Sequence, residues 1–358
     1  MDELCKSITK QLRGYFDSLL VRNEGGSFTL YDDELHDFAS CCTVGEVAAL
    51  YLLDYLHHGG EGLQIAQDLA KDVYSRQLEN GAFGQPYFVK KGEQSTVDIA
   101  EIGAVANSLY HNYLITKSDY AKETLLRSAA YLLTQISVEN PGAVYKNPQA
   151  TSHDVLNGDI YAAHAWSRAY DLTKKKIYLE KMNDVIDHVL NRFGKHSPGW
   201  WPYTENWDGS IGMGNSVSYQ GTIIAFAHTC KSMLQMDQQE KWDNAEKMAL
   251  DTMVKAMEEG PNDENEAPWW CRDWKNTWEI YLAFSRRKEE TYQKKVFNRL
   301  HQINQDFIES GIEVFRPKTI QTDPERTPVT TTFRKAATFA GIFSYMILDN
   351  HVHLNTSV

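Results

Sequence analysis

Cysteine is scarce in this chain, and long apolar runs are missing. The five cysteines, Cys5, Cys41, Cys42, Cys230 and Cys271, form no CxxC pair and no disulfide-framework spacing. We therefore expect reduced thiols in a reducing compartment. No run of about 18 apolar residues occurs, which predicts no membrane span. The sequence starts MDELCKSITKQLRGYF, without a basic segment followed by an apolar one, so we expect no secretory signal and a cytoplasmic protein.

Several signatures of known chemistry are also missing. Neither DxDD nor an intact DDxxD motif is present, so the two usual initiations of terpene cyclisation lack their acids. No Asp/Cys/His zinc set has a recognisable spacing, and HExxH, GxGxxG, GxSxG and Walker A patterns do not occur. We therefore expect no cofactor and no bound metal, with a calcium or magnesium ion on an acidic rim as the alternative.

Positive charge is outnumbered. The chain has 36 Lys and Arg against 48 Asp and Glu, a net charge of -12, which repels phosphate backbones and anionic membranes. We expect no nucleic-acid partner. With 42% hydrophobic and 23% charged residues in 358, the chain has the composition of a globular protein with a sizeable core. The 9 Trp residues cluster in segments that are predicted to be loops.

Twelve segments with helical periodicity alternate between two types. Helices that are apolar on most faces are predicted at residues 42–56, 97–115, 155–172, 217–234, 270–285 and 333–348. Amphipathic helices are predicted at residues 3–20, 61–77, 119–136, 177–193, 241–257 and 289–307. An apolar helix is buried and a helix with a charged stripe lies at the surface. The alternation therefore predicts six buried inner helices surrounded by six outer ones.

A glycine followed by bulky residues comes after each amphipathic segment. These glycines are Gly26, Gly81, Gly142, Gly199, Gly260 and Gly311, spaced by 55, 61, 57, 61 and 51 residues. Glycine accepts the left-handed conformation that ends many helices. Six copies span nearly the whole chain without a linker, so we predict an all-α fold in which residues 1–358 form one closed (α/α)6 toroid. A generic helical bundle or an open solenoid is the alternative.

Two segments resemble known families. Residues 77–83, QLENGAF, resemble the repeat of terpenoid cyclases and protein prenyltransferases, which implies the toroid fold. Glycosidases, uronic-acid lyases, sugar epimerases and unsaturated glucuronyl hydrolases share that toroid. Residues 199–203, GWWPY, followed by Tyr219-Gln220-Gly221, are similar to a pattern of polysaccharide-biosynthesis toroid proteins, which often carry His and Thr where this chain has Tyr and Gln.

A polar residue interrupts the start of each predicted inner helix. In chain order these are Glu46, Glu101, Asp159, Gln220, Asn276 and Lys335. A buried carboxylate is costly unless it is paired or hydrated, so three at one level of a ring predict a wet, polar cavity. Neighbouring carboxylates push each other's pKa values apart, which suits a general acid beside a general base. Alternatively, these side chains cap or brace adjacent helices.

Aromatic residues concentrate in the predicted rim loops, where the resemblance to toroids places ligand sites. Trp and Tyr offer a flat apolar face with a polar edge, as sugar stacking requires, although they could equally plug the funnel. Arg272 could hold an acidic group of a ligand or pair with Asp273. The predicted substrate-binding set is Phe83, Tyr87, His153, Trp200, Trp201, Trp207, Asp208, Tyr219, Gln220, Trp270, Arg272, Asp273 and Trp274.

Together these features favour an enzyme or processing factor that acts on a saccharide by acid/base chemistry. Hydrolysis, uronyl elimination and epimerisation all need two proton-handling groups. Glu101 and Asp159 are the predicted pair, with Glu46 in support and Tyr203 or Glu205 as a rim acid. An isoprenoid cyclase or transferase is the first alternative, because aromatic faces stabilise carbocations. A non-catalytic glycan-binding protein is the second.

Overall fold

A computed structural model describes residues 2–91, 96–259, 274–317 and 323–355 of the chain. Within these ranges the protein is all-α, with twelve α-helices and a few short strands. None of the described helices is sufficiently long and apolar to cross a bilayer.

The helices confirm the predicted alternation. The mostly buried helices are α2 (Cys41–His58), α4 (Ile99–Thr116), α6 (Leu156–Thr173), α8 (Val217–Ala227), α10 (Trp278–Ser285) and α12 (Thr332–Asn355). The amphipathic ones are α1 (Asp2–Asp17), α3 (Gly62–Arg76), α5 (Asp119–Leu133), α7 (Lys176–Leu190), α9 (Met236–Glu259) and α11 (Glu290–Ser310). Burial runs nearly without a break through α8, whereas α3 buries one face.

Two observed helices are shorter than the apolar segments that predicted them. After α8 the chain turns and forms a short 3-10 helix at Lys231–Met233, in which no residue is buried. The prediction for 270–285 is wrong at its start: a 3-10 helix at Trp274–Asn276 precedes α10, which begins at Trp278. Residues 270–273 lie outside the described residues.

Eight short strands lie in segments that were predicted to be loops. They are β1 (Leu20–Arg22), β2 (Phe28–Asp32), β3 (Asp37–Phe38), β4 (Gly84–Gln85), β5 (Thr96–Val97), β6 (His153–Val155), β7 (Pro202–Asn206) and β8 (Ile211–Asn215). The longest predicted loop, 196–215, is therefore largely the β7–β8 hairpin, which β6 joins in register with Asp154 opposite Glu205. A turn through Gly209, at φ 82°, closes the hairpin.

The described chain forms two compact units. Unit 1 comprises Met1–Arg127 and Lys288–Val358, and unit 2 comprises Ser128–Arg287. In unit 1, α2 packs against α3, α4 and α12; in unit 2, α6 packs against α7 and α8, and α8 packs against α10. That all six repeats form a single domain remains a prediction.

The link glycines lie mainly in turns rather than at helix ends. Gly311 directly caps α11 at φ 59°, as predicted, whereas Gly26, Gly81 and Gly199 come several residues after their helices with positive φ. Gly142 is not among the residues with positive φ. At Gly81 a β-carbon would collide with the carbonyl of Arg127. Glycine is therefore required there both for its conformation and for the close approach.

Gly81→Ala should lower the free energy of unfolding by roughly 2–4 kcal/mol, through left-handed strain and a backbone collision. Urea unfolding followed by circular dichroism would measure it. Gly26→Ala is the matched control, because Gly26 also has a positive φ but has open space around it. Equal losses for the two variants would show that the approach to Arg127 does not matter.

Gln77 stabilises the turn in the segment that resembles the cyclase repeat. Its side-chain amide donates to the carbonyls of Gly81, at 2.8 Å, and Thr124, at 3.0 Å. The Asn80 side chain accepts the backbone N–H of Ala82 at 3.0 Å. These bonds fix the turn after α3 against the neighbouring helix α5. The motif therefore acts in the fold.

Candidate functional site

Glu101 lies at the start of α4, where Asp98 caps the helix by accepting the backbone N–H of Ala100 at 2.8 Å. Only 1% of Glu101 is exposed. Its Oε2 accepts the backbone N–H of Cys42 at 3.2 Å, at the start of α2. Its Oε1 lies 3.5 Å from an Arg334 nitrogen. The carboxyl group is thus held between two buried helices and one cation.

Arg334, in the first turn of α12, joins Glu101 to an aromatic ring. Its guanidinium carbon lies 4.1 Å from the ring centroid of Tyr87, within range of a cation–π interaction. Tyr87 is 2% exposed, whereas the Arg334 side chain is 27% exposed. The guanidinium is therefore the member of this group that solvent or a ligand reaches first.

Asp32 completes the group on the other side of Tyr87. It ends β2 and is fully buried. Its Oδ2 accepts the Thr331 hydroxyl at 2.7 Å and the Tyr87 hydroxyl at 3.4 Å. We call Glu101, Arg334, Tyr87, Asp32 and Thr331 the Glu101 cluster. It brings one predicted catalytic residue and one predicted substrate-binding residue together within unit 1.

Burial controls the proton affinity of the two acids. It raises the pKa of Glu101, because a charged carboxylate loses hydration there, while Arg334 and a hydrogen bond from Ser40 oppose the rise. Burial likewise raises the pKa of Asp32, against hydrogen bonds from Thr331 and two backbone N–H groups. The Glu101 cluster therefore holds two acids that retain protons more strongly than exposed ones.

Glu46 lies on α2 and is 4% exposed. The hydroxyl of Thr338 donates to its Oε2 at 3.2 Å. Gly341 packs directly on it, since a β-carbon there would come within 2.7 Å of the Glu46 side chain. These contacts brace α2 against α12. A supporting catalytic role for Glu46 remains a prediction.

Asp159 belongs to a different group, in unit 2. It is fully buried in α6, and its Oδ1 accepts the backbone N–H of Val144 at 2.7 Å. His188 Nε2 on α7 lies 2.6 Å from Oδ2 of Asp154 and 3.6 Å from Oδ2 of Asp159. We call these three side chains the Asp159 triad. Burial and the nearby Asp154 carboxylate raise the pKa of Asp159 well above its usual range.

Glu205 corrects the prediction of a rim acid. It is 2% exposed and contacts three basic side chains: Lys195 at 2.7 Å, His196 at 2.9 Å and Arg192 at 3.0 Å. Although burial opposes ionisation, the hydrogen bonds from Lys195 and His196 and the charge of Arg192 lower the pKa of Glu205. A carboxylate held ionised in this way cannot serve as a proton donor near neutral pH. The contacts instead fix the β7–β8 hairpin.

Glu205→Gln should destabilise the protein by about 1–3 kcal/mol at pH 7, because three basic groups lose their anion. The folded pKa of Glu205 lies below the ordinary 4.5, so its contribution is present above that pH and is lost as pH falls through the folded pKa. The stability difference between wild type and variant, followed by urea unfolding from pH 7 to pH 3, should shrink below about 4.5. A difference that is constant over this range would contradict the assignment.

The predicted aromatic platforms divide into buried and partly exposed rings. Phe83 and Trp201 are 0% and 2% exposed, so their rings pack in the core, and substrate binding by these two residues remains a prediction that their burial does not support. Trp201 packs against Trp242 with centroids 5.7 Å apart and donates from its indole N–H to the Val189 carbonyl. The rings that keep partial exposure are those of Trp200, Trp207, Tyr219 and Trp274.

Tyr203 and Tyr219 form a stacked pair. Their centroids are 3.7 Å apart and their planes 8° apart. Tyr203, the predicted rim acid, is 7% exposed, whereas Tyr219 at the start of α8 is partly exposed. In this stack the ring of Tyr219 is therefore partly exposed to solvent, and it covers the ring of Tyr203.

Gln220 holds the predicted rim segment in place. Its Oε1 accepts the backbone N–H of Trp201 at 3.1 Å, and its amide donates to the carbonyls of Gly199 and Ala249. Asp159 makes the equivalent bond to Val144. At these two positions the polar residue of the buried helix fixes the link after the preceding amphipathic helix, which supports the bracing alternative.

The remaining predicted residues are scattered. Asp208 is exposed and accepts both the backbone N–H and the hydroxyl of Ser210 in the hairpin turn. His153 on β6 is partly exposed and contacts the Ser152 hydroxyl. Asn276 precedes α10, and Lys335 lies in the first turn of α12. The predictions for Trp270, Arg272 and Asp273 lie outside the described residues.

Several chemically important residues were missed from the sequence. Arg334 stands one place before the predicted Lys335, and Glu279, a partly exposed acid whose pKa is raised by the burial of its carboxyl group, stands one helical turn after Asn276. A one-turn shift of the alignment would have found Glu279. Asp32 lies between two predicted helices and Asp154 directly precedes a third, so neither stands out in the sequence, and His188 has no sequence signal.

Solved structures with similar folds cover nearly the whole chain. A sugar epimerase from a ruminal bacterium is 10% identical with a TM-score of 0.65, over 96% of this chain and 98% of that one. A D-mannose isomerase is 12% identical with a TM-score of 0.66, over 98% of each chain. An alpha-mannanase from Bacteroides thetaiotaomicron is 13% identical with a TM-score of 0.62, over 98% and 97%.

The chain has the (α/α)6 toroid fold. At these identities the likeness concerns the fold and not the activity. Comparison with protein-family models and with curated proteins finds no match. The predicted fold class is therefore confirmed. The roles of the site residues rest on the geometry described above.

Proposed function

We propose that this toroid is an enzyme that acts on a saccharide by acid/base chemistry at the Glu101 cluster. The observation that carries the proposal is the contact of a buried acid, Glu101, with a partly exposed cation, Arg334, which itself stacks on Tyr87. Glycoside hydrolysis, uronyl elimination and epimerisation are the three reactions that such a site serves.

Two opposing effects suit Glu101 to proton transfer. Burial favours its neutral form, whereas Arg334 favours its carboxylate. A general acid must give up a proton and regain it within one cycle, so neither form can be overwhelmingly stable. Asp32, bonded to the Tyr87 hydroxyl, is the second acid that we propose within unit 1. The pairing of Glu101 with Asp159 remains a prediction, since Asp159 lies in unit 2.

Arg334, which packs on the buried ring of Tyr87, provides hydrogen-bond donors for a polar ligand. The guanidinium offers several N–H donors in one plane, and 27% of the side chain is exposed. Sugar hydroxyls accept such hydrogen bonds. The similar solved structures include a sugar epimerase, a D-mannose isomerase and an alpha-mannanase, which supports a saccharide as the substrate class. A cytoplasmic location belongs to the same proposal, supported by the buried thiols of Cys41, Cys42 and Cys230, which form no disulfide among the described residues.

A thermal-shift screen tests the substrate class. The panel contains neutral oligosaccharides, uronic acids and prenyl diphosphates, and each hit is then assayed for product. We expect stabilisation by a saccharide, followed by turnover. Stabilisation by prenyl diphosphates alone would favour the isoprenoid alternative. Saccharide binding that never leads to product, and that survives replacement of Glu101 and Asp159 by Ala, would favour the non-catalytic alternative.

A further inference from the structure

The Asp159 triad, in unit 2, brings together three metal-ligating side chains. Asp154 comes from β6, Asp159 from α6 and His188 from α7. One ligand atom of each lies within 4.8 Å of the others. Asp154 and Asp159 are 2% and 0% exposed, and His188 is 5% exposed. Three separate elements thus converge on one buried point.

Two carboxylate oxygens in the triad receive no hydrogen bond from outside the pair of acids, although the two carboxyl groups are close enough to share a proton. They are Oδ1 of Asp154 and Oδ2 of Asp159. Buried polar atoms are nearly always satisfied, and an unsatisfied carboxylate oxygen is especially costly. Oδ2 of Asp159 points toward His188, at 3.6 Å from its Nε2. This oxygen is therefore directed into the triad, where a cation would satisfy it.

The link after α5 covers the triad. Gly142 packs so closely on His188 that a β-carbon would lie 2.7 Å from that of His188. Two residues later, Val144 donates its N–H to Oδ1 of Asp159, which leaves Oδ2 of that carboxylate available. This close packing explains why residue 142 is a glycine, although its φ is not positive. It also fixes His188 and Asp159 in position before any ion arrives.

We propose that Asp154, Asp159 and His188 supply three ligands to one divalent first-row ion, Zn²⁺ foremost. Two carboxylates and one neutral imidazole balance the charge of a divalent cation. Zinc accepts both His nitrogen and Asp oxygen, whereas calcium and magnesium prefer oxygen alone. The burial of all three ligands suits an ion that ties β6, α6 and α7 together. The expectation of a metal-free protein would then be wrong.

Metal titration of the full-length wild type is the first test. Protein stripped with EDTA and dialysed free of chelator is titrated with Zn²⁺, Mn²⁺ and Co²⁺. We expect one tightly bound equivalent by elemental analysis, a higher melting temperature, and visible absorption bands for bound Co²⁺. A wild type that retains no equivalent and melts unchanged would overturn the proposal and leave the triad as a hydrogen-bonded brace.

Variants and X-ray absorption then locate the ion. Asp154→Asn and His188→Gln should each weaken Zn²⁺ binding by more than about 100-fold, since losing even an outer partner of a metal ligand costs 10–100-fold. His301→Gln, which changes an exposed His on α11, should bind as wild type. If the triad variants fail to fold, absorption at the zinc edge of wild type decides: nitrogen and oxygen ligands support the site, whereas sulfur ligands overturn it.

Discussion

Glu101→Gln should lower kcat on the saccharide substrate by about 10²–10⁴-fold, the usual contribution of a general acid or base. Glutamine fills the same space and can still accept the backbone N–H of Cys42, but it cannot carry the proton. The fold should survive, because the side chain is buried and its charged form is already disfavoured by burial. Steady-state kinetics and a thermal melt would measure the two effects separately.

Glu309→Gln is the matched control, because it makes the same change at an exposed position of α11 in the same unit. It should retain wild-type kcat. A Glu101→Gln protein that is folded and turns over substrate at the wild-type rate would remove Glu101 from the mechanism. A rise in KM with unchanged kcat would assign it to substrate binding instead.

Trp201→Ala should destabilise the protein by about 3–5 kcal/mol, the cost of removing a large aromatic side chain from a packed core. Trp201 is 2% exposed, contacts Phe193 and Trp242, and satisfies the Val189 carbonyl with its indole N–H. Truncation leaves a cavity and removes one of the hydrogen bonds to the Val189 carbonyl, which still accepts the backbone N–H of Arg192. Urea unfolding followed by circular dichroism would measure the loss.

Trp200→Ala provides the comparison, since the neighbouring indole is partly exposed. It should cost much less stability, and any loss of saccharide affinity on truncating this segment should come from Trp200. If Trp201→Ala proved as stable as wild type but bound saccharide more weakly, Trp201 would be a ligand platform after all.

Periodicity made the fold predictable. Each helix lies where a 3.6-residue pattern predicts it, because burial of an apolar face is a local property of the sequence. Left-handed glycines such as Gly81 marked the turns correctly, although Gly311 alone caps its helix directly among the described links. The β7–β8 hairpin was missed, because its pairing with β6 joins segments almost fifty residues apart.

The site was less predictable, since its properties arise from contacts distant in sequence. Glu101 was found as a polar break in an apolar helix, but its partner Arg334 lies 233 positions away. Glu205 was predicted as a rim acid, yet its three basic partners lower its pKa and favour the carboxylate at neutral pH. His188 looked like an ordinary residue of an amphipathic helix, and only the packing of β6 and α6 brings Asp154 and Asp159 to it.

Product analysis by NMR in deuterated water tests the central claim most directly. Wild type and Glu101→Gln are incubated in parallel with the saccharide that the thermal-shift screen identifies. We expect wild type to form a new saccharide product, with solvent deuterium on carbon if the reaction is epimerisation and a new anomeric signal if it is hydrolysis, and the variant to form almost none. No product from wild type with any saccharide, or equal product from both proteins, would contradict the account.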